Sequence, residues 1–228
     1  MKRKIILFLF VLFFINNLLF AGDVDANESK IPTLVKIADS KYRFGEVIID
    51  QKKRTLEFNA TTNQKNGLIE YVLVHESGKV HESLFRTKVR PQIMHACLLL
   101  LKVPVESRFF ENLWAEKPQK LNFEKSKIKI EVFWEQNGTS FSKAIETFAI
   151  NSQRDAVLRE GVFIFTGSKK IEGTYLADVS GSMIAVYADE ESVINSSDHD
   201  SNNDDVWLAN GKEMPELEVE VGLRFHLP

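Results

Sequence analysis

Hydrophobic positions along this chain fall into many short runs, and several of them alternate. "RTLEFNATT", "KIKIEVFWEQ" and "ELEVEVGLRFHL" set apolar residues at every second position, the period that brings strand side chains to one face. "GEVIID", "GLIEYVLVHE", "KVHESLFRT", "KAIETFAI", "GVFIFTGS", "TYLADV" and "SMIAVYAD" are short runs rich in β-branched and aromatic residues, which also favour strands. One segment reads as a helix with defined ends. It is "PQIMHACLLLLK", where Pro91 suits the first helical position and Pro104 lies just past the end. Its apolar residues wrap nearly all round, so it is expected to be buried, with a polar stripe at Gln92, His95 and Lys102. "NSQRDAVLRE" (151–160) is expected to form a short second helix and 102–127 a loop. The pattern predicts an α+β fold, mainly antiparallel β: a strand-rich single domain with one buried leucine-rich helix packed on the sheet.

The N-terminus changes the picture of compartment. Lys2, Arg3 and Lys4 precede an apolar run from Ile5 to Ile15, then Asn16 and Asn17, then four apolar residues ending at Ala21. This predicts a secretory signal peptide over 1–21, because the asparagines break the run short of the roughly 20 residues a spanning helix needs. A polar leader (22–40) and a domain (41–228) are expected to follow. The formal charge of −3 becomes −6 once the three N-terminal cations are removed. A mildly acidic protein argues against nucleic acid, whose phosphates are neutralised by Lys and Arg, and against an anionic membrane surface. The partners expected are an envelope protein or a small ligand, with no nucleic acid and no stable membrane anchor after cleavage. Cys97 is the sole cysteine, so there is no internal disulfide or cysteine metal cluster. Set in an apolar helix, it reads as a core residue.

Three stretches carry candidate chemistry. "DVSGSM" (178–183) matches the Asp-x-Ser-x-Ser metal signature of von Willebrand A domains. A hard cation needs further oxygen ligands from downstream loops. Only 45 residues follow Met183, none of them threonine, and "MIAVYAD" opens a strand rather than a helix. The stretch is therefore expected to be a hairpin turning at Gly181. "VHESGKVHES" is also expected as a hairpin. His75 and His81, six apart, cannot share a helical face as zincin histidines do. A three-residue loop would face them across the ladder, and other loops would leave His81 with Ser83, joined by His95 if the helix packs there. The residues singled out are His81, Glu82, Ser83 and His95, with no catalytic residue assigned. In "DHDSNNDD", Asp198, Asp200, Asn202 and Asp204 alternate like the start of a calcium loop, but an EF-hand's Gly and Glu are replaced by Asn203 and Ala209. Between Lys170 and Lys212 there are nine acids and no Lys or Arg, so a local negative field is expected.

"GLIEYVLVHESGKVHESLFRTKVRPQIMHACLLLL", with "GTYLADVSGSMIAVYADEESVINSSDHDSNNDDVWLANGKEMPELEVEVGLRF", resembles the YdjY-type domain of exported bacterial proteins. The resemblance runs from Tyr42 to His226, and Lys102 stands where that pattern has Gly after the leucines. It implies a bacterial envelope protein, supports the hairpin reading of "DVSGSM" and marks His81, Glu82, Ser83 and His95, but it brings no activity or cofactor. The function expected is a non-catalytic, periplasmic binding or assembly module. The alternative is a metal-dependent hydrolase or transferase using His81 and His95, two ligands where catalytic zinc usually has three.

Overall fold

A computed structural model describes residues 31–228. The expected signal peptide lies outside the described residues. Among the described residues seventeen strands follow one another: β1 (Leu34–Ala38), β2 (Lys41–Phe44), β3 (Val47–Asp50), β4 (Thr55–Thr62), β5 (Tyr71–His75), β6 (Ser83–Thr87), β7 (Lys129–Gln136), β8 (Thr139–Ala144), β9 (Ala149–Asn151), β10 (Ala156–Val157), β11 (Phe163–Phe165), β12 (Lys170–Ile171), β13 (Thr174–Tyr175), β14 (Ser182–Ala185), β15 (Ile194–Ser196), β16 (Trp207–Ala209) and β17 (Glu220–His226). Three α-helices interrupt them: α1 (Pro91–Leu100) after β6, α2 (Phe109–Leu113) before β7, and α3 (Leu176–Ser180) before β14. β1 falls within the segment expected as a polar leader. No helix among the described residues is long and apolar enough to cross a membrane.

Twelve strands form one sheet, mainly antiparallel, with β4 at its branch point. One edge of β4 pairs with β3 and then β6, while the other pairs with β17 along Thr55–Thr61. β17 continues to β7 and β7 to β8. In this part alternation is kept: Leu56, Phe58, Ala60, Ile130, Val132, Leu223 and Phe225 are buried. Outward-facing Arg224 bridges Glu57 and Glu131. Gly222 has a specific reason here, since the Phe133 ring from the paired strand lies over it and occupies the space a Cβ would need.

Beyond β6 the sheet runs β5, β14, β15, β11. These strands are buried almost throughout, and the β5–β6 and β14–β15 pairs are parallel. Burial on both faces accounts for the apolar runs Tyr71–Val74, Phe163–Phe165 and Met183–Ala185, while the buried Asn195 of β15 is satisfied by Thr166 and the Asp189 carbonyl. The expected "VHESGKVHES" hairpin is thus corrected. Residues 76–82 fold back across the sheet, Val80 packs on Tyr71, Val74 and Ala185, and Lys79 Nζ donates to the Tyr71 hydroxyl at 2.7 Å. β6 therefore starts again beside Tyr71 rather than returning from His75.

"DVSGSM" is not a hairpin either. "LADVS" forms α3, capped by left-handed Gly181 (φ 74°) before β14. The order, helix then strand, is the reverse of the adhesion motif. Gly181 also touches Gly78 of the folded-back segment: a Cβ on it would lie 2.6 Å from the Gly78 Cα, and one on Gly78 would lie 2.7 Å from the Ser180 carbonyl. Two turns about a hundred residues apart meet backbone to backbone.

α1 forms where expected, with Pro91 in its first turn, but it is not enveloped. Ile93, Met94, Cys97 and Leu98 are buried, whereas Leu99 and Leu100 are about half exposed (50% and 52%). It ends in a Schellman motif, with Val103 N–H donating to the Leu98 carbonyl at 3.0 Å and Lys102 N–H to the Leu99 carbonyl at 2.9 Å. Lys102 takes the left-handed position (φ 60°) that usually belongs to Gly. The expected helix over 151–160 is instead the antiparallel β9–β10 pair with a turn at Ser152–Asp155. Its residues lack an apolar stripe that helical periodicity could bury.

Candidate functional site

Asp178 fixes the geometry of a cleft beside α1. Its Oδ1 accepts the Gln92 backbone N–H at 2.9 Å and its Oδ2 the Arg90 guanidinium at 2.5 Å. A carboxylate thus caps the N-terminus of α1 from a different helix, where unpaired amides and the helix dipole favour negative charge. The same contact locks α3 against α1. The "DVSGSM" hydroxyls are equally occupied: Ser180 Oγ donates to the Leu176 carbonyl and lies 3.1 Å from Ser182 Oγ, whose hydroxyl can donate to it.

β12 and β13 build the opposite wall through a two-residue turn at Glu172 and Gly173, both with positive φ, as a type I′ hairpin requires. It sets Lys170 beside Tyr175. The resulting cleft has a volume of about 580 Å³ and is lined by Arg90, Gln92 and His95 of the α1 region, Lys170 and Thr174 of the hairpin, and Asp178, together with apolar Ala96, Leu99 and Val179. Val179 is 70% exposed.

His95 is held firmly. Its ring packs edge-on against Phe165 and Tyr175, and its Nδ1 lies 2.6 Å from the Tyr175 hydroxyl. That hydroxyl also lies 3.2 Å from the Gly167 carbonyl. Burial, followed by the Lys170 charge, lowers the His95 pKa. Burial, with Asp178 nearby, raises that of Tyr175. The cleft therefore presents a neutral imidazole, an ammonium, a hydroxyl and an amide beside an apolar rim.

The other expected residues lie elsewhere. His81 stands on the short 3₁₀ turn Val80–Glu82, its side chain 74% exposed, with Nε2 3.2 Å from Glu82 Oε1. It does not line the His95 cleft. Glu82 is close to Glu70, whose pKa is raised by burial and then by the Glu82 charge. Ser83 is wholly buried and donates to the Phe85 carbonyl at 2.8 Å. His75 Nδ1 is 2.7 Å from Ser77 Oγ. Cys97 is a core residue, its thiol pushed up to about 12 by burial.

The calcium candidates are turned to other partners. Asp198 binds Arg159 and two backbone amides, Asp200 binds Asn151 and Arg154, and Asn202 and Asp204 are at the surface. No group of three or more His, Cys, Asp or Glu among the described residues could hold a metal ion. The expected negative field is also much reduced. Arg90, Arg154, Arg159 and Lys169 reach in from earlier in the chain to pair with Asp178, Asp200, Asp198 and Glu190.

Sequence reasoning singled out His95 but missed Lys170, Thr174 and Tyr175. The available signal was "KIEGTY", in which Glu-Gly between two short β-prone pairs fits a type I′ hairpin. A family model described as the YdjY domain matches residues 47–226. No curated protein and no solved structure matches the chain.

Proposed function

The chain belongs to the YdjY domain family, and from that premise we propose that it is an exported binding or assembly module of the bacterial envelope, with no chemistry of its own, whose recognition face is the His95 cleft. The observation that carries this reading is the cleft's construction. Exposed Leu99 and Val179 stand beside polar groups already held in place, His95 by Tyr175 and Phe165, Asp178 by Arg90 and the Gln92 amide. A preformed apolar rim with a few oriented polar groups is the usual make-up of a ligand site. The nucleophile candidates are in poor positions for reaction, with Cys97 sealed in the core and Ser180 and Ser182 bonded to each other. Export rests on the cationic and apolar pattern of residues 1–21.

Amide NMR during a peptide-fragment screen tests this reading. Shifts clustered at Gln92, His95, Ala96, Leu99 and Thr174, without turnover of the fragments, are expected. Shifts confined to another face would remove the cleft from consideration. Stoichiometric zinc lost on His81→Ala would replace the reading with metal-dependent hydrolysis.

A further inference from the structure

We propose that the cleft takes a short apolar peptide segment through a carboxylate, with Lys170 as its counter-charge and Ala96, Leu99 and Val179 covering the adjoining side chain. This rests on the binding-module reading above. The first ground is charge. In a chain whose formal net charge is −3, the cleft sets Arg90 and Lys170 against a single carboxylate, Asp178. Arg90 and Asp178 satisfy each other, which leaves Lys170 with no ion pair among the described residues, unlike its neighbour Lys169, which pairs with Glu190. The groove on the sheet face has the opposite balance, with Glu46, Glu57, Glu76 and Glu220 against Arg86 and Lys88.

The second ground is length. Ala96 and Leu99 are three residues apart, about 4.5 Å along the helix axis, so the apolar wall covers one or two side chains rather than an extended acyl chain. Gln92 and Thr174 add donors and acceptors suited to a peptide amide. The third ground is His95. Protonating this imidazole, which lines the cleft, would place a positive charge beside a bound carboxylate, so binding an anion there favours uptake of a proton. The groups facing it are Lys170 from β12, Tyr175 from β13, Asp178 from α3 and Arg90 at the start of α1, and a bound carboxylate offsets Lys170, the nearest opposing charge.

The test is an NMR and calorimetric titration of the intact protein with N-acetyl-Leu-Leu as the free acid and as its C-terminal amide. N-acetyl-Leu-Glu-Leu amide separates a side-chain carboxylate from a terminal one. The free acid or the glutamyl peptide should shift Gln92, His95 and Leu99 and bind about five- to tenfold more tightly than the Leu-Leu amide. Lys170→Met should abolish that preference while Lys169→Met retains it. The preference should grow as pH falls from 8 to 6, and His95→Asn should flatten this dependence. Equal binding of acids and amide at the cleft would sink the carboxylate while leaving the binding module intact. Binding of decanoate in place of the peptides would assign the cleft to a lipid and overturn the proposal. If none of the peptides shifts a cleft residue the inference fails, and the fragment screen then decides the broader reading separately.

Discussion

Glu146 lies between β8 and β9 and is only 4% exposed, its Oε1 accepting the Gly161 N–H at 2.9 Å. Burial raises its pKa from an ordinary 4.5, so the folded chain holds this proton more tightly than the unfolded one. Its contribution is most favourable at low pH and is lost as pH rises through the raised value. Glu146→Gln keeps an acceptor for Gly161, so it should stabilise the fold at pH 7, with the gain shrinking towards pH 4 in urea titrations. A gain that ignores pH would place its origin elsewhere. His95 has the opposite sign. Its lowered pKa makes its contribution fully present above about 6.5 and lost as pH falls through the lowered value. His95→Gln should flatten the acid limb of the stability curve in that window.

At the scale of elements, the C-terminus of α1 carries a residue poorly suited to its place. A left-handed non-Gly residue costs roughly 1–2 kcal/mol, and the greater unfolded freedom of Gly returns roughly 0.4–1. Lys102→Gly should therefore stabilise the protein by about 0.5–1 kcal/mol and raise Tm by about 1–4 °C. Calorimetry showing a lower Tm would mean that the lysine makes a compensating contact. Elements with one wet face were legible in the sequence, because β4, β7 and β17 must alternate to keep Glu57, Glu131 and Arg224 outside. α1 was legible from Pro91 and its leucines, although not the exposure of Leu99 and Leu100, which depends on what packs beside it. The folded-back 76–82 segment was illegible, since its course is decided by Val80 on Tyr71 and by Gly78 on Gly181, contacts made across the chain. The five-residue α3 is likewise held by Asp178 on α1, and no local periodicity announces it. The candidate site divides the same way: His95 stood out by its chemistry, whereas Lys170 and Tyr175 became visible only once β12 and β13 brought them to it.

For the whole molecule, β17 is decisive. It lies between β4 and β7, paired on both edges, and buries Val221, Leu223 and Phe225. A chain ending at Val219 should show no cooperative unfolding transition and little near-ultraviolet circular dichroism. A native-like transition in that variant would show that the remaining strands can close without it. The order of synthesis gives this placement a further meaning. The ribosome makes β17 only after all the other described strands, so until then the growing polypeptide lacks the piece that joins β4 to β7. The large sheet therefore cannot be completed from its earlier strands alone, and its two flanks meet only once residues 220–226 have emerged.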